Sequence, residues 1–522
     1  MGFNKKLCFT LIISTLLTLS VAEDLKIYIK GATSIASTDD DFVCVTLDWW
    51  PSNKCNYNQC VWRTAGLFNL DLNNTILANA IKAFGSLRIR IGGSLQDQLV
   101  YKVGNNIKKC PHFKRTDKGL FGFSRGCLTM KRWDELINLF NRTGVVLTFG
   151  LNALYGRKES KTSKGLWVGD WNPRNARDLI AYTAQKGFKI DGYELGNELC
   201  GSGVSARVDV EQYGKDMIAL KKLIQEIYPD PEQQPKVMGP GGFFDQKWFT
   251  KFLEVTGPDV VDGLTHHIYN LGPGDDSHLI DKIQDPFYLS QIAQTYNDLE
   301  RVITEFGPWA EAWVGESGGS WNSGGKDVSS TFADGFWYLD QLGMTSTFNH
   351  KVFCRQALVG GNYALLDSPT FIPKPDYYGA LLWHRLMGRV VLSTTHQGSP
   401  YLRVYSHCAK RKPGITLIFI NLEKWKSFNI SLFNDENLYM NVKSPDADFK
   451  GYKPREEYHL TPKDGNIQSD VMLLNGTPLK LTESLDIPKM EPKHVDASAP
   501  ITVAPQSIVY VTVKDFHAPV CA

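Results

Sequence analysis

The sequence predicts an α/β protein, a (β/α)8 TIM barrel followed by a C-terminal antiparallel β-sandwich domain. Eight short apolar runs alternate with longer helical segments between about residues 40 and 385. After Arg389 the runs become short and β-rich, and Pro, Gly and Asp separate them. The 522 residues suit one large domain and a smaller one. We therefore expect a barrel over residues 38–388 and a β-sandwich formed by residues 23–37 and 389–522.

Residues 1–22 have the features of a secretory signal peptide. Lys5 and Lys6 precede an apolar run, Leu7–Leu19, and small residues follow up to Ala22. The run is shorter than the ~20 residues that a spanning helix needs, so we expect cleavage after Ala22. The sequence thus predicts a secreted protein of the extracellular space or cell wall. The vacuole or lysosome is the alternative, and peripheral membrane association is compatible with either.

Composition limits the partners of the mature chain. Removal of residues 1–22 takes away two lysines and leaves 55 basic and 55 acidic residues. A net charge of zero argues against nucleic acid or a polyanion as an obligate partner. We expect a monomer without a transmembrane segment. Glycosylation is predicted at four Asn-X-Ser/Thr sites, Asn73, Asn141, Asn429 and Asn475.

The predicted barrel strands are apolar runs bounded by helical or turn segments. The clearest amphipathic helices between them are Met130–Asn141, Pro173–Lys186 and Glu211–Tyr228. A doubly wound sheet would give the same alternation, but the chain lacks its glycine-rich phosphate fingerprint. The eight strands are Val43–Leu47, Leu87–Ile91, Val145–Gly150, Gly192–Leu195, Val237–Gly239, Val261–His266, Trp313–Gly315 and Val352–Arg355.

The β-sandwich is predicted from short runs rich in β-branched and aromatic residues. An early run, Leu25–Ile29, precedes the first barrel strand and could join the same sheet. The later runs are Leu402–Tyr405, Thr416–Ile420, Phe428–Leu432, Val471–Leu474 and Ile508–Val513.

Nine cysteines follow residue 22, so at least one is unpaired or bonded to another molecule. Cys408 and Cys521 bracket the C-terminal region, and a disulfide between them would stabilise the fold by up to ~4–5 kcal/mol on the entropic model. Cys55 lies close to Cys60 in the sequence, and residues 110 and 127 form a similar pair. No spacing indicates a zinc site, so no metal is expected.

Chemistry in a barrel enzyme takes place at the carboxyl ends of the strands. The strand Gly192–Leu195 is followed by Gly196-Asn197-Glu198. Cleavage of a glycoside needs one carboxylic acid to protonate the leaving oxygen and one carboxylate to attack, and an Asn can bind the sugar 2-hydroxyl. Glu198 is therefore the predicted acid/base. The alternative is that Glu198 is an ordinary carboxylate at the start of a helix, which would have the same sequence pattern. Glu194, inside the strand, is expected to be structural.

Two carboxylates compete for the second role. Val302–Gly307 looks like a strand that ends in Glu305, and Ala312–Gly319 looks like a strand that ends in Glu316. Glycines follow Glu316 and would let a sugar approach closely, so spacing favours it. His267 and Tyr269 follow another predicted strand and could orient the nucleophile.

At these residues the chain resembles the heparanase family, glycoside hydrolase family 79. The resemblance covers nearly the whole mature chain and is closest to the plant heparanase-like proteins and β-glucuronidases. It rests on Gly196-Asn197-Glu198, Trp313-Val314-Gly315-Glu316, His266-His267-Ile268-Tyr269, Arg355-Gln356, Gly360-Gly361-Asn362-Tyr363 and Leu402-Arg403-Val404-Tyr405.

The resemblance implies a barrel with a β-sandwich and hydrolysis of β-glucuronides with retention, without a cofactor. By position it implies Glu198 as the proton donor and Glu316 as the nucleophile. It also implies that the sugar is contacted by Asp48, Ser94 and Asn197. The positions near the glucuronate carboxylate are Gln356, Gly361 and Tyr363, and the nucleophile is held by His267 and Tyr269.

The chain departs from animal heparanases in two ways. It has no clear counterpart of their long excised linker, and residues 395–400 lack the basic cluster that they carry before the Leu-Arg-Val-Tyr segment. Heparan sulfate is therefore disfavoured. We expect a retaining endo- or exo-β-glucuronidase that acts on glycans, proteoglycans or small glucuronides. The alternatives are a glycosidase for neutral sugars that uses Glu305, and a catalytically silent carbohydrate-binding or cell-wall protein.

Overall fold

The computed structural model of the protein describes residues 22–435 and 454–522, so the predicted signal peptide lies outside it up to residue 21. The described chain forms a closed eight-stranded parallel barrel and an eleven-stranded, mostly antiparallel sheet. The first strand, β1 (Glu23–Ser37), belongs to the large sheet, and the barrel begins with the next strand.

The barrel strands coincide with the eight predicted runs to within a few residues. They are almost wholly buried, which explains why they appear in the sequence as continuous apolar runs. The last strand pairs with the first and closes the ring. The (β/α)8 prediction is therefore confirmed. The strands are β2 (Val43–Asp48), β3 (Leu87–Gly92), β4 (Val145–Leu151), β5 (Gly192–Leu195), β6 (Lys236–Phe243), β7 (Gly263–Ile268), β8 (Glu311–Ser317) and β9 (Val352–Arg355).

Ten α-helices accompany the strands in the described part of the chain, and none of them is long and apolar enough to cross a membrane. The predicted amphipathic helices are present with nearly the same ends. The helices are α1 (Thr75–Lys82), α2 (Met130–Thr143), α3 (Arg174–Gln185), α4 (Val210–Ile227), α5 (Gln246–Thr256), α6 (Leu279–Gln284), α7 (Pro286–Ser290), α8 (Ala293–Phe306), α9 (Phe332–Thr347) and α10 (Pro375–Leu386).

The interpretation of Val302–Gly307 as a strand that ends in Glu305 is wrong. This segment is the last turn of α8, and Glu305 is exposed on its surface. The buried residues of the helix, Tyr296, Leu299 and Val302, recur every three positions, which is a helical spacing. A short apolar run fits a strand and a helix equally well when its neighbours are ignored.

The large sheet packs one set of side chains into a core of its own and another set into the core of the barrel. Along β12 (Ile415–Asn421), Leu417 and Phe419 face the sheet's own core, whereas Ile418 and Ile420 pack into the core shared with the barrel. The other strands of the sheet after the barrel are β10 (Met387–Thr395), β11 (Leu402–Ala409), β13 (Phe428–Asn434), β14 (Arg455–Pro462), β15 (Met472–Leu474), β16 (Thr477–Pro478), β17 (Lys493–Val495), β18 (Ile501–Val503) and β19 (Ser507–Val513). Their order in the sheet is β16-β15-β14-β19-β12-β11-β10-β1-β13-β18, with β17 beside β14. The pairing is antiparallel except that β1 runs parallel to β13.

In the described part of the chain, disulfides join four pairs of cysteines. Three of the pairs agree with the sequence analysis, two between cysteines close together in the chain and the third the predicted Cys408–Cys521 bond. The fourth, Cys44–Cys354, links the first and last barrel strands across 310 positions and was not predicted. Cys200 is the buried free cysteine of the described chain. Of the predicted glycosylation sites, Asn73 and Asn141 are exposed and Asn429 and Asn475 are half-buried.

Candidate active site

A cleft of about 450 Å³ opens at the carboxyl ends of the barrel strands. It brings together six of the residues that the sequence indicated. Three tryptophans, Trp50, Trp62 and Trp321, contribute to its walls. The six predicted residues that line it are Ser94, Glu198, Tyr269, Glu316, Gln356 and Tyr363.

Glu198 lies three residues beyond the end of β5, in a turn that directs its carboxylate into the cleft. Its backbone φ of 56° is in the left-handed region, which costs a non-glycine residue on the order of 1 kcal/mol. The backbone N–H of Glu198 donates to the carbonyl of Gly241 at 2.6 Å and so holds the turn. Nδ1 of His267 lies 3.2 Å from Oε1 of Glu198.

Glu316 lies at the end of β8, and both of its carboxylate oxygens accept hydrogen bonds. Tyr269 donates its hydroxyl to Oε1 at 2.6 Å, and Arg90 donates Nη1 to Oε2 at 2.8 Å. Burial alone would raise the pKa of Glu316, but the charges of His267 and Arg90 and the Tyr269 hydrogen bond outweigh it and lower the pKa. The carboxylate is therefore held ionised.

Arg90, which is not among the predicted site residues, contacts groups on both sides of the site. This fully buried residue of β3 also donates Nε to Glu194 at 2.6 Å and Nη2 to Asn197 at 2.8 Å. Thr265 donates to the second oxygen of Glu194 at 2.7 Å. The sequence did contain a signal, because Arg88 and Arg90 alternate with apolar residues in a strand that is buried on every side. Charged residues at alternate positions of such a strand point into the barrel.

The two glutamates are close enough to act on one bond. A carboxylate oxygen of Glu198, one of Glu316 and a ring nitrogen of His267 all lie within 4.8 Å of one another. The same spacing could hold a metal ion, so the absence of a metal stays a prediction. His267 was expected to hold the nucleophile, but its hydrogen-bond contact is with Glu198.

Asp48, Gln356 and Tyr363 form one network beside Glu316. The side-chain amide of Gln356 donates to Oδ2 of Asp48 and lies 3.4 Å from the hydroxyl of Tyr363. Burial, reinforced by the negative charges of Glu316 and Glu198, raises the pKa of Asp48 to about 8. Below that pH, Asp48 is a neutral carboxylic acid that can donate a hydrogen bond to a sugar hydroxyl.

Two further predicted residues, Asn197 and Gly361, have local structures that suit close contact with a ligand or with a neighbouring ring. Nδ2 of Asn197 is buried and has no hydrogen-bond partner among the described residues, while its backbone N–H donates to Asp97 at 2.8 Å. The amide is thus free to donate to a ligand. Gly361 has a φ of 81°, and a Cβ there would lie 2.5 Å from the ring of Tyr363, so only glycine fits.

A parallel barrel with two facing glutamates at the ends of β5 and β8 has the architecture and site of a glycoside hydrolase. A family model described as Glycosyl hydrolase family 79, N-terminal domain, matches residues 24–343. The chain belongs to this family, and the predicted resemblance is confirmed.

Two relatives are similar over almost their full lengths. Heparanase-like protein 2 of Arabidopsis thaliana is 50% identical, with 100% of each chain covered. Baicalin-beta-D-glucuronidase of Scutellaria baicalensis is 41% identical over 97% of this chain and 94% of its own. Among solved structures, the GH51 arabinofuranosidase from Xanthomonas axonopodis pv. citri has a TM-score of 0.65 at 14% identity, covering 94% and 99% of the two chains, which shows a shared fold.

Proposed function

We propose that the protein is a retaining β-glucuronidase that works by double displacement. Glu316 attacks the anomeric carbon while Glu198 protonates the departing oxygen, which gives a glycosyl-enzyme. Glu198 then removes a proton from water, the water attacks the anomeric carbon, and Glu316 leaves as a carboxylate. The observation that supports this assignment best is the hydrogen-bonded, ionised Glu316 facing Glu198 across the cleft.

The spacing of the carboxylates supports retention over inversion. Retaining enzymes hold the two carboxyl groups ~5–5.5 Å apart, whereas inverting enzymes need ~6.5–9.5 Å to admit a water molecule. The facing oxygens of Glu198 and Glu316 lie within 4.8 Å. An oxygen–oxygen distance within 4.8 Å agrees with the shorter separation of a retaining pair.

A β-glucuronide as substrate is supported by similarity and by the site. The relative from Scutellaria baicalensis is named for β-glucuronide hydrolysis. The Asp48, Gln356 and Tyr363 network offers neutral donors to sugar hydroxyls and to a carboxylate. We propose that the enzyme acts as a secreted monomer on glucuronate-bearing glycans or small glucuronides.

The stereochemistry of an aryl β-glucuronide reaction, followed by proton NMR, tests the mechanism. We expect β-glucuronic acid to appear first and the α anomer to follow by mutarotation. Release of the α anomer first would contradict the retaining mechanism.

Three Glu→Gln variants test the residues. E316Q and E198Q should each lose at least ~1,000-fold in kcat, because one carboxylate of the pair is gone. E305Q is the matched control, since Glu305 is exposed on α8, and it should stay within about twofold of the parent. Full activity in E316Q would overturn the assignment, and glucuronide binding without turnover in the parent enzyme would support a non-catalytic role instead.

A further inference from the structure

One wall of the cleft, formed by residues 50–62, brings a lysine to the catalytic pair. Lys54 lines the same cavity as Glu198 and Glu316. Among the described residues, no lysine or arginine other than Lys54 lines this cavity. Within residues 22–435 and 454–522, its ammonium has neither an ion pair nor a hydrogen bond. The charge of Lys54 is therefore available to a ligand in the cavity.

The position of Lys54 is fixed by its neighbours. Nζ lies 4.1 Å from the ring centroid of Trp50, a favourable cation–π distance, and Trp50 is itself buried. The Lys54 backbone N–H donates to the carbonyl of Pro51 at 2.9 Å, and the disulfide Cys55–Cys60 begins at the next residue. The ammonium is therefore held in place before any ligand binds.

The surroundings of Lys54 favour an anionic ligand. Burial, together with the positive charge of Arg115, lowers the pKa of Lys54 to about 8, while the negative charge of Asp48 opposes this effect. A partly desolvated ammonium has lost water contacts without gaining a protein acceptor. A carboxylate would supply charge-assisted hydrogen bonds that nothing else in the cleft provides.

The aromatic wall also connects Lys54 to the side of the cleft where Tyr363 lies. The rings of Trp50 and Trp62 are 6.3 Å apart, and those of Trp62 and Tyr363 are 6.4 Å apart. Tyr363 belongs to the network with Gln356 beside Glu316. A ligand that touches Tyr363 can therefore present an acidic group to Lys54.

We propose that Lys54 is a specificity-determining residue that binds the carboxylate of the glucuronyl group in the cleft. This inference rests on the proposed glucuronidase function and deepens it. It also gives a physical reason why a cleft with two catalytic glutamates, which repel a negatively charged sugar, would accept one.

The test compares Lys54→Met and Lys54→Arg with the parent enzyme on three aryl β-glycosides: the glucuronide, its methyl ester and the glucoside. Methionine keeps an unbranched apolar stem over Trp50 but removes the charge. We expect K54M to raise KM for the glucuronide about 10- to 100-fold, with kcat changing less, because one charge-assisted contact is lost. Its KM for the ester and the glucoside should stay within about twofold. K54R should recover most of the glucuronide affinity.

Lys424→Met is the control, because Lys424 is exposed in the region of the large sheet and does not line the cleft. It should leave all three substrates unchanged. Thermal unfolding of K54M must match that of the parent, and if K54M is unstable, Lys54→Gln, which also removes the charge, takes its place with the same expected KM changes.

The outcomes separate the two proposals. An unchanged KM for the glucuronide in K54M, or an equal loss on the acid and its ester, overturns the role of Lys54 and leaves the glucuronidase function intact. Turnover of the glucoside but not the glucuronide by the parent enzyme defeats the proposed function. In that case calorimetric titration with D-glucuronate decides on Lys54: at least tenfold weaker binding to K54M than to the parent supports the contact, and equal binding rejects it.

Discussion

The guanidinium of Arg90 contacts Glu194, Asn197 and Glu316, so one side chain fixes the proposed nucleophile and the residue beside the proposed acid/base. A planar fork with five N–H donors can serve three acceptors in different directions, which the single ammonium of lysine does less well. Glu198 and Glu316 could be found from the sequence because each follows an apolar strand. Arg90 could not be assigned a role in this way, because its partners meet it only when the barrel closes.

Arg90→Lys should therefore reduce kcat about 100- to 1,000-fold with a smaller change in KM. The charge is kept, but Glu316 and Asn197 lose their shared donor and the geometry of the reacting groups loosens. Steady-state kinetics on an aryl β-glucuronide checks this.

Arg88→Lys is the control from the same strand, since Arg88 pairs with Asp191 and Asp39 and contacts neither Glu198 nor Glu316 in the described structure. A similar kcat loss in both variants would show that the strand tolerates no lysine, and would argue against a specific role of Arg90.

Asp48→Asn should change how stability depends on pH. The pKa of Asp48 is raised to about 8 in the folded protein and is ~3.9 in an unfolded chain. The neutral form of Asp48 is therefore the one that the folded state prefers. Its contribution to the free energy of unfolding is fully present below pH ~4 and is lost as the pH rises through about 8. Asparagine resembles the neutral acid and can still accept from Gln356, so D48N should unfold at a higher temperature than the parent at pH 8 and differ little at pH 4.

Thermal unfolding followed by circular dichroism at pH 4, 6 and 8 measures this effect. Asp134→Asn is a suitable control, because Asp134 is only half-buried and accepts from Tyr182 on the helical surface. If the Tm difference between D48N and the parent is the same at all three pH values, Asp48 does not titrate as described.

At the scale of elements, the barrel strands were predictable because each is buried along most of its length and ends in a change of composition. The sheet strands were predictable from β-branched runs, but not their order. The parallel pairing of β1 with β13 joins segments about 400 residues apart, and no local pattern encodes it. The Cys44–Cys354 bond depends on the same kind of long-range closure.

Replacement of both Cys44 and Cys354 by alanine should lower the free energy of unfolding by about 5 kcal/mol. The bond closes a loop of 310 positions between the first and last barrel strands, so its loss frees much of the unfolded chain. Guanidinium unfolding curves measure the change.

The matched comparison replaces both Cys110 and Cys127 by alanine. The Cys110–Cys127 disulfide closes a loop of only 17 positions, so its loss should lower the free energy of unfolding by about 3 kcal/mol. Equal losses in the two double variants would show that loop length does not determine the effect here.

At the scale of the whole molecule, the sheet completes the core of the barrel. Helix α9 is buried along nearly its whole length. A helix on the outside of a barrel is buried in this way only when a second layer of structure covers its outer face. Asp340 of α9 accepts from Arg403 at 2.8 Å and from Tyr405 at 2.7 Å, both in β11. Tyr510 of β19 donates to the carbonyl of Gly379 in α10 at 3.0 Å. The two parts therefore share one core, although they differ in sheet type.

We consequently expect the chain to unfold in one cooperative transition, and Arg403→Met to destabilise the barrel together with the sheet. The substitution leaves the buried carboxylate of Asp340 without its cation, which costs about 3–5 kcal/mol. Calorimetry should show a single peak at a lower Tm, and glucuronidase activity should be lost at that same temperature. Lys426→Met removes a more exposed pair with Glu23 and should shift the Tm little. Two separate peaks, with activity following a peak that R403M does not move, would mean that the barrel is stable without the sheet.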